Sequence, residues 1–169
     1  MQRLLTKNLI DWKNSPTRKP LIIKGVRQCG KTYFLLEFGK TSYTDVAYFN
    51  FENNTPLWQL FEKDLDVKRL IIELGVLQNK VITPTKTLII FDEIQFCGKA
   101  LTSLKYFCEL APQYHVACAG SLLGLALSGP SSFPVGKVDF LTMYPMSFAE
   151  FILASGEQML YTNALSNSF

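Results

Sequence analysis

Arginine is scarce in this chain. Only Arg3, Arg18, Arg27 and Arg69 are present, and residues 70–169 contain none. A planar, two-pronged grip on phosphate or carboxylate must therefore come from the first 69 positions. Histidine is scarcer still. His115 stands alone at the opening of an apolar segment, where it reads as a strand-edge residue rather than a catalyst. The four cysteines (Cys29, Cys97, Cys108 and Cys118) form no Cys-x-x-Cys pair, which argues against a zinc site and for buried, reduced thiols. No apolar run reaches the ~18 residues needed to cross a bilayer. The longest candidate, residues 116–127, is broken by Gly120, Ser121 and Gly124. Residues 1–8 lack the continuous apolar core of a secretory leader, so a cytoplasmic location is the expectation. Internal repeats and low-complexity tracts are absent as well.

What is present suits one folded domain. The chain has 169 residues, 48% hydrophobic and 18% charged, enough to bury about 70% of its unfolded surface. The net charge of +3 hides an asymmetry: residues 1–40 carry nine basic and two acidic side chains, and the remainder carries eight against twelve. The basic segment leaves nucleic acid open as a partner, but no interleaved aromatics support it.

Apolar spacing organises the rest. Leu5, Leu9 and Trp12 mark an amphipathic helix, which Pro16 and Pro20 end. Leu21-Ile22-Ile23 reads as a strand, and so does 46–51. Asn53-Asn54-Thr55-Pro56 reads as a turn, and 65–79 as a helix. Residues 87–91 form a continuous apolar run, as in a central parallel strand covered on both faces. Leu101, Leu104, Lys105, Cys108 and Ala111 give another helical stripe, and 116–119 a fourth strand. Residues 128–132 read as a loop and 138–143 as a fifth strand. Ser147-Phe148-Ala149-Glu150 has capping-box spacing for a helix to about Ala154. This alternation predicts an α/β fold, with about five parallel strands and helices on both faces. The division expected is 1–20 as an N-terminal helix and linker, 21–155 as the core and 156–169 as a tail.

Between the first strand and the next helix, Gly25-Val26-Arg27-Gln28-Cys29-Gly30-Lys31-Thr32 spells a phosphate-binding loop, in the strand–loop–helix context such a loop needs. Glycine at 25 and 30 lets successive N–H groups turn inward, and the following helix adds its unsatisfied N-terminal donors. The pattern points to a nucleoside triphosphate held by residues Gly25 to Tyr33, with Lys31 on the β and γ phosphates and the Thr32 hydroxyl on magnesium. Positive potential in this loop makes Cys29 the one thiol with an incentive to ionise. The run 87–91 ends in Asp92-Glu93, at the carboxyl end of a strand, where such sheets bind ligands. Asp92 fits a magnesium role alongside Thr32, and Glu93 that of a base which orients and deprotonates water. Ser121, ending the fourth strand, fits either a γ-phosphate sensor or the N-cap of a helix over 122–127.

Several segments now line up: Trp12, Pro20 to Ile23, Gly25 to Thr32, Asp92-Glu93-Ile94-Gln95, Ala119-Gly120-Ser121, Ser132 to Gly136 and Tyr144 to Phe151. Together they resemble a family of prokaryotic AAA-type P-loop ATPases, whose core is followed by an uncharacterised C-terminal domain. The resemblance implies the AAA fold, ATP and magnesium, with Lys31, Thr32, Asp92 and Glu93 in the usual roles and Ser121 as first sensor. It implies a lid and second domain beyond a core such as this one. A homo-oligomer is left open. The chain departs from the family by carrying Lys137 where arginine is common. An arginine finger could come only from Arg3, Arg18, Arg27 or Arg69. The expected function is an ATPase core that drives or regulates a partner domain. A nucleotide-binding switch without turnover is the alternative, ahead of a small-molecule kinase, which would need lid arginines. A GTPase is disfavoured because Asn79-Lys80 runs into Val81-Ile82, with no aspartate to read guanine.

Overall fold

In the computed structural model, which describes residues 5–121 and 134–145, five helices and five strands alternate along the chain. Helix α1 spans Thr6–Asn14, strand β1 Leu21–Gly25, α2 Lys31–Ser42 and β2 Asp45–Asn50. After them come α3 (Thr55–Lys63), α4 (Val67–Leu77) and β3 (Thr87–Asp92). A single 3₁₀ turn, Ile94–Phe96, leads into α5 (Gly98–Leu110), followed by β4 (His115–Ser121) and β5 (Asp139–Thr142).

The strands form one sheet in the order β2-β3-β4-β1-β5, every pair parallel. Alternation along each strand divides the apolar side chains between two cores, as the pleat requires. Ile22, Ile89, Phe91, Val116 and Cys118 face α3, α4 and α5. Leu21, Ile23, Leu88, Ile90, Ala117 and Ala119 face α1 and α2. Phe91 anchors the first core, packing edge-to-face on Phe49, Phe51, Phe61 and Phe107 with ring centroids 5.4–6.2 Å apart. All six residues of β3 are buried, as its unbroken apolar run predicts. The α/β sheet with helices on both faces is thus the observed architecture.

Four expectations shift. Asn53-Asn54-Thr55-Pro56 is a helix start rather than a free turn: the Asn54 side chain accepts the Leu57 N–H at 3.2 Å, and proline sits in the first turn of α3. Asn-Asn-Thr-Pro suits both structures, because a cap and a turn use the same side-chain chemistry. The helix expected over 65–79 is narrower, capped by Asp66 and ending at Leu77. On α5 the buried stripe runs through Ala100, Leu101, Leu104 and Phe107, leaving Lys105 exposed. The fifth strand is trimmed to Asp139–Thr142, though the Met143 N–H still reaches Lys24 O at 2.8 Å. The expected loop at 128–132 and the helix from Ser147 lie outside the described residues.

Candidate functional site

Strands β1, β3 and β4 all finish on the same edge of the sheet, and their last residues bring the two motifs together. Gly25 closes β1 against the backbone of Met143. A β-carbon built there would lie 2.2 Å from the Met143 carbonyl oxygen, so no side chain fits. The loop then rises to the surface through Val26, Arg27 and Gln28, all exposed. Gln28 (φ 62°) and Gly30 (φ 87°) turn it back in the left-handed region. Gly30 is the N-cap of α2, and no side chain caps that helix. Its first N–H groups are consequently available to an anion. Tyr33, in the first turn, is half exposed.

Lys31 is buried at the heart of the loop. Its ammonium donates to Val26 O at 2.8 Å and Gly25 O at 3.2 Å, and lies 3.8 Å from Cys29 Sγ. The lysine therefore lies folded into its own loop. Cys29 is 7% exposed and its thiol faces Met143 O at 3.7 Å. It serves as the buried anchor of the loop, which answers the expectation that it might be the one reactive thiol. Oxidants meet little of it.

Thr32 and Asp92, sixty positions apart, are joined directly: Thr32 Oγ1 donates to Asp92 Oδ2 at 2.9 Å. Asp92 is 4% exposed. Its Oδ2 also accepts the Tyr48 hydroxyl at 2.8 Å, and its Oδ1 accepts the Glu93 N–H at 3.0 Å. Three donors thus hold one carboxylate in place. Burial, and then the bond to Asp92, push the Tyr48 phenol well above its ordinary range, so it remains a donor. Tyr48 was not singled out from sequence. Only the β2–β3 register, which pairs Tyr48 with Ile90 and Asn50 with Asp92, brings its hydroxyl to the site.

Glu93 follows with a left-handed backbone (φ 51°, ψ 41°) that breaks the strand and starts the 3₁₀ turn. Its carboxylate accepts a hydrogen bond from the Gln95 amide. Ser121 ends β4 in register with Gly25, beside the loop and one strand from β3. The alternative N-cap role for Ser121 concerns residues 122–127, outside the described residues.

Of the three arginines among the described residues, Arg69 and Arg18 are occupied, and Arg3 lies outside those residues. Arg69 donates to Asp64, Glu73 and the Leu60 carbonyl at 2.7–2.8 Å. Arg18 donates to Lys13 O and Pro112 O at 3.0 and 2.9 Å, at the amino end of the strands. Arg27 stands exposed on the loop. Lys137 pairs with Glu109 at 3.0 Å just before β5, at the sheet end opposite the loop. Much of the basic N-terminal segment is likewise committed, with Lys13 and Lys19 donating to the carbonyls of Ser42 and Gly136. His115 is the first residue of β4, at the strand's edge as expected, and it is buried. It shares a 2.7 Å hydrogen bond with the Tyr43 hydroxyl, and burial, then Arg18 and Lys13, lower its pKa to about 4.

Comparison with known proteins bears on the family and the fold. A family described as AAA domain matches residues 17–152. No curated protein sequence matches the chain. Among solved structures, Drosophila ORC bound to DNA aligns with a TM-score of 0.55 at 16% identity, over 96% of this chain and 47% of that one. The Aeropyrum pernix ORC1 protein in complex with DNA aligns with a TM-score of 0.53 at 14% identity, over 91% and 47%. The chain spans about half the length of each, and likeness at this identity speaks for the fold alone.

Proposed function

The chain belongs to the AAA domain family of nucleotide-binding modules, and from that premise we propose that it is a magnesium-dependent ATPase core that drives or regulates a partner domain. The observation carrying this reading is the 2.9 Å contact between Thr32 and Asp92. It joins the phosphate loop to the acidic strand end, whose next residue, Glu93, is a carboxylate that a site only storing nucleotide would not need. The donor set is oxygen alone, one hydroxyl and one buried carboxylate, which suits a hard cation such as magnesium. Thr32 and Asp92 would hold it. When bound, it would neutralise charge on the β and γ phosphates.

The other roles follow from position. Lys31 leaves the carbonyls of Gly25 and Val26 for phosphate oxygens, and the N–H groups of residues 26–33 cradle the chain of phosphates. Glu93 orients water and takes its proton, while Ser121 helps hold that water from the neighbouring strand. Turnover is on the order of 10⁻⁴ to 10⁻² per second unless a partner supplies an arginine, because Arg18 and Arg69 are held in place. Single-turnover phosphate release with magnesium-ATP tests the reading. Wild type should hydrolyse, and Glu93→Gln should bind ATP but lose about 100-fold or more in rate. Equal rates would remove Glu93 from the role.

A second reading is favoured by the same arginine placement: a nucleotide-binding switch with no useful turnover. Tight ATP binding without hydrolysis, even with the partner added, would select it. The partner is a C-terminal domain or another chain. DNA, present with the two solved proteins of like fold, would reveal itself by stimulating hydrolysis in a steeply salt-dependent manner.

A further inference from the structure

Gln95 belongs to a sequence signature, Asp92-Glu93-Ile94-Gln95, in which the first two letters have roles and the last has none. Its amide nitrogen donates to Glu93 Oε2. Its amide oxygen is buried and has no hydrogen-bond partner among the described residues. Buried acceptors are normally paired, and one left unpaired weakens the fold. The amide cannot simply turn over to relieve this, because its oxygen would then oppose a carboxylate. Glu93 adds a second local cost, since a non-glycine residue is uncommon in the left-handed region. Both costs fall on the same two residues, and both serve to fix one carboxylate.

The platform beneath them is firm. Ile94 is fully buried and Cys97 is 4% exposed, so the turn is pinned into the core on either side of Gln95. Phe96 N–H to Glu93 O at 3.1 Å and Cys97 N–H to Ile94 O at 3.0 Å close it. A donor two residues from its acceptor on such a turn needs no ligand to bring it into place. Oε2 is the oxygen of Glu93 that the amide takes up.

Building on the ATPase reading above, we propose that Gln95 is a positioning residue for hydrolysis: it clamps Oε2 of Glu93 so that Oε1 meets the attacking water. Gln95 touches neither nucleotide nor water in this role. It acts through Glu93 alone, and the fold bears its unpaired oxygen as the consequence.

The experiment compares wild type, Glu93→Gln, Gln95→Met, Gln95→Glu and the double variant Glu93→Gln/Gln95→Met. It measures steady-state ATP hydrolysis, binding of a non-hydrolysable ATP analogue, and thermal midpoint. Methionine matches the length of glutamine and lacks both the donor and the unpaired acceptor. Gln95→Met should lower kcat about 10- to 100-fold, leave KM and analogue affinity unchanged, and keep or raise the midpoint. Gln95→Glu, an acceptor facing a carboxylate, should lose at least as much. The double variant should be no slower than Glu93→Gln alone. If wild type does not hydrolyse ATP, or Glu93→Gln matches it, the ATPase reading falls and this proposal with it. If Glu93→Gln is inert while Gln95→Met turns over as wild type or faster, only the Gln95 assignment is overturned. A Gln95→Met midpoint that falls in step with its rate would make the residue structural and overturn it equally.

Discussion

At Gly25 the backbone of β1 passes so close to Met143 that a single methyl group would sit 2.2 Å from a carbonyl oxygen. Backbone cannot swing aside as a side chain can. Gly25→Ala should therefore push β1 and the segment after β5 apart, destabilising the fold by about 1–3 kcal/mol. Urea unfolding would read this as a lower midpoint with an unchanged slope, and a stability equal to wild type would contradict the close approach. The need for glycine here was legible from the phosphate-loop pattern, but its reason was not. The pattern explains Gly25 by backbone angle, whereas the structure shows a steric contact with a residue 118 positions away. Tyr48 was hidden for a related reason, and Gln95, though part of the Asp92-Glu93-Ile94-Gln95 signature, showed no role. A tyrosine in a strand and a glutamine after an apolar residue reveal no contact until register and turn geometry aim them at Asp92 and Glu93.

Among the elements, strands with unbroken apolar runs were legible and helices with mixed starts were less so. β3 and β4 declare themselves because they are covered on both faces and need no polar alternation. α3 was missed because its cap, Asn54, is also a favoured turn residue. The helix after it shows what such a cap contributes. Asp66 Oδ1 accepts the Arg69 N–H at 2.9 Å at the start of α4. Removing that acceptor in Asp66→Ala should cost about 1 kcal/mol. In a protein of this size that lowers the thermal midpoint by about 2–4 °C. Asp66→Asn should restore most of it, and a flat response to both would exclude capping as the source of stability. ATP binding should be untouched by either change, since α4 lies over the opposite core from α2.

For the whole molecule, strand order is what the sequence could not supply. Alternating strands and helices imply a parallel sheet, yet only the order β2-β3-β4-β1-β5 sets Ser121 beside Gly25 and Asp92 within reach of Thr32. The two ends of that sheet are chemically distinct. The carboxyl end carries the phosphate loop and acidic pair, and the amino end carries His115 with Tyr43, Arg18 and Lys13 around it. The folded chain keeps His115 neutral down to about pH 4, while the unfolded chain takes up a proton near pH 6.5. Its contribution to stability is therefore complete above about pH 6.5 and is lost progressively as pH falls toward 4. Between pH 7 and pH 5 the loss should be ~1–2 kcal/mol, measured by urea midpoints. His115→Gln should flatten that slope, and an equally steep slope in the variant would assign it to other groups.

The lysine folded into its own loop has one more consequence. Gly25 and Val26 present carbonyls to Lys31 that act as an internal rival for its charge. Any anion entering the loop must displace that rival before it benefits from the ammonium. Weak single anions such as inorganic phosphate gain little from the exchange. A polyphosphate chain also engages the helix terminus and the hydroxyl of Thr32, and so can drive it to completion. If the loop holds a polyphosphate as proposed, those two backbone oxygens set a threshold that depends on ligand length and is independent of the base the ligand carries.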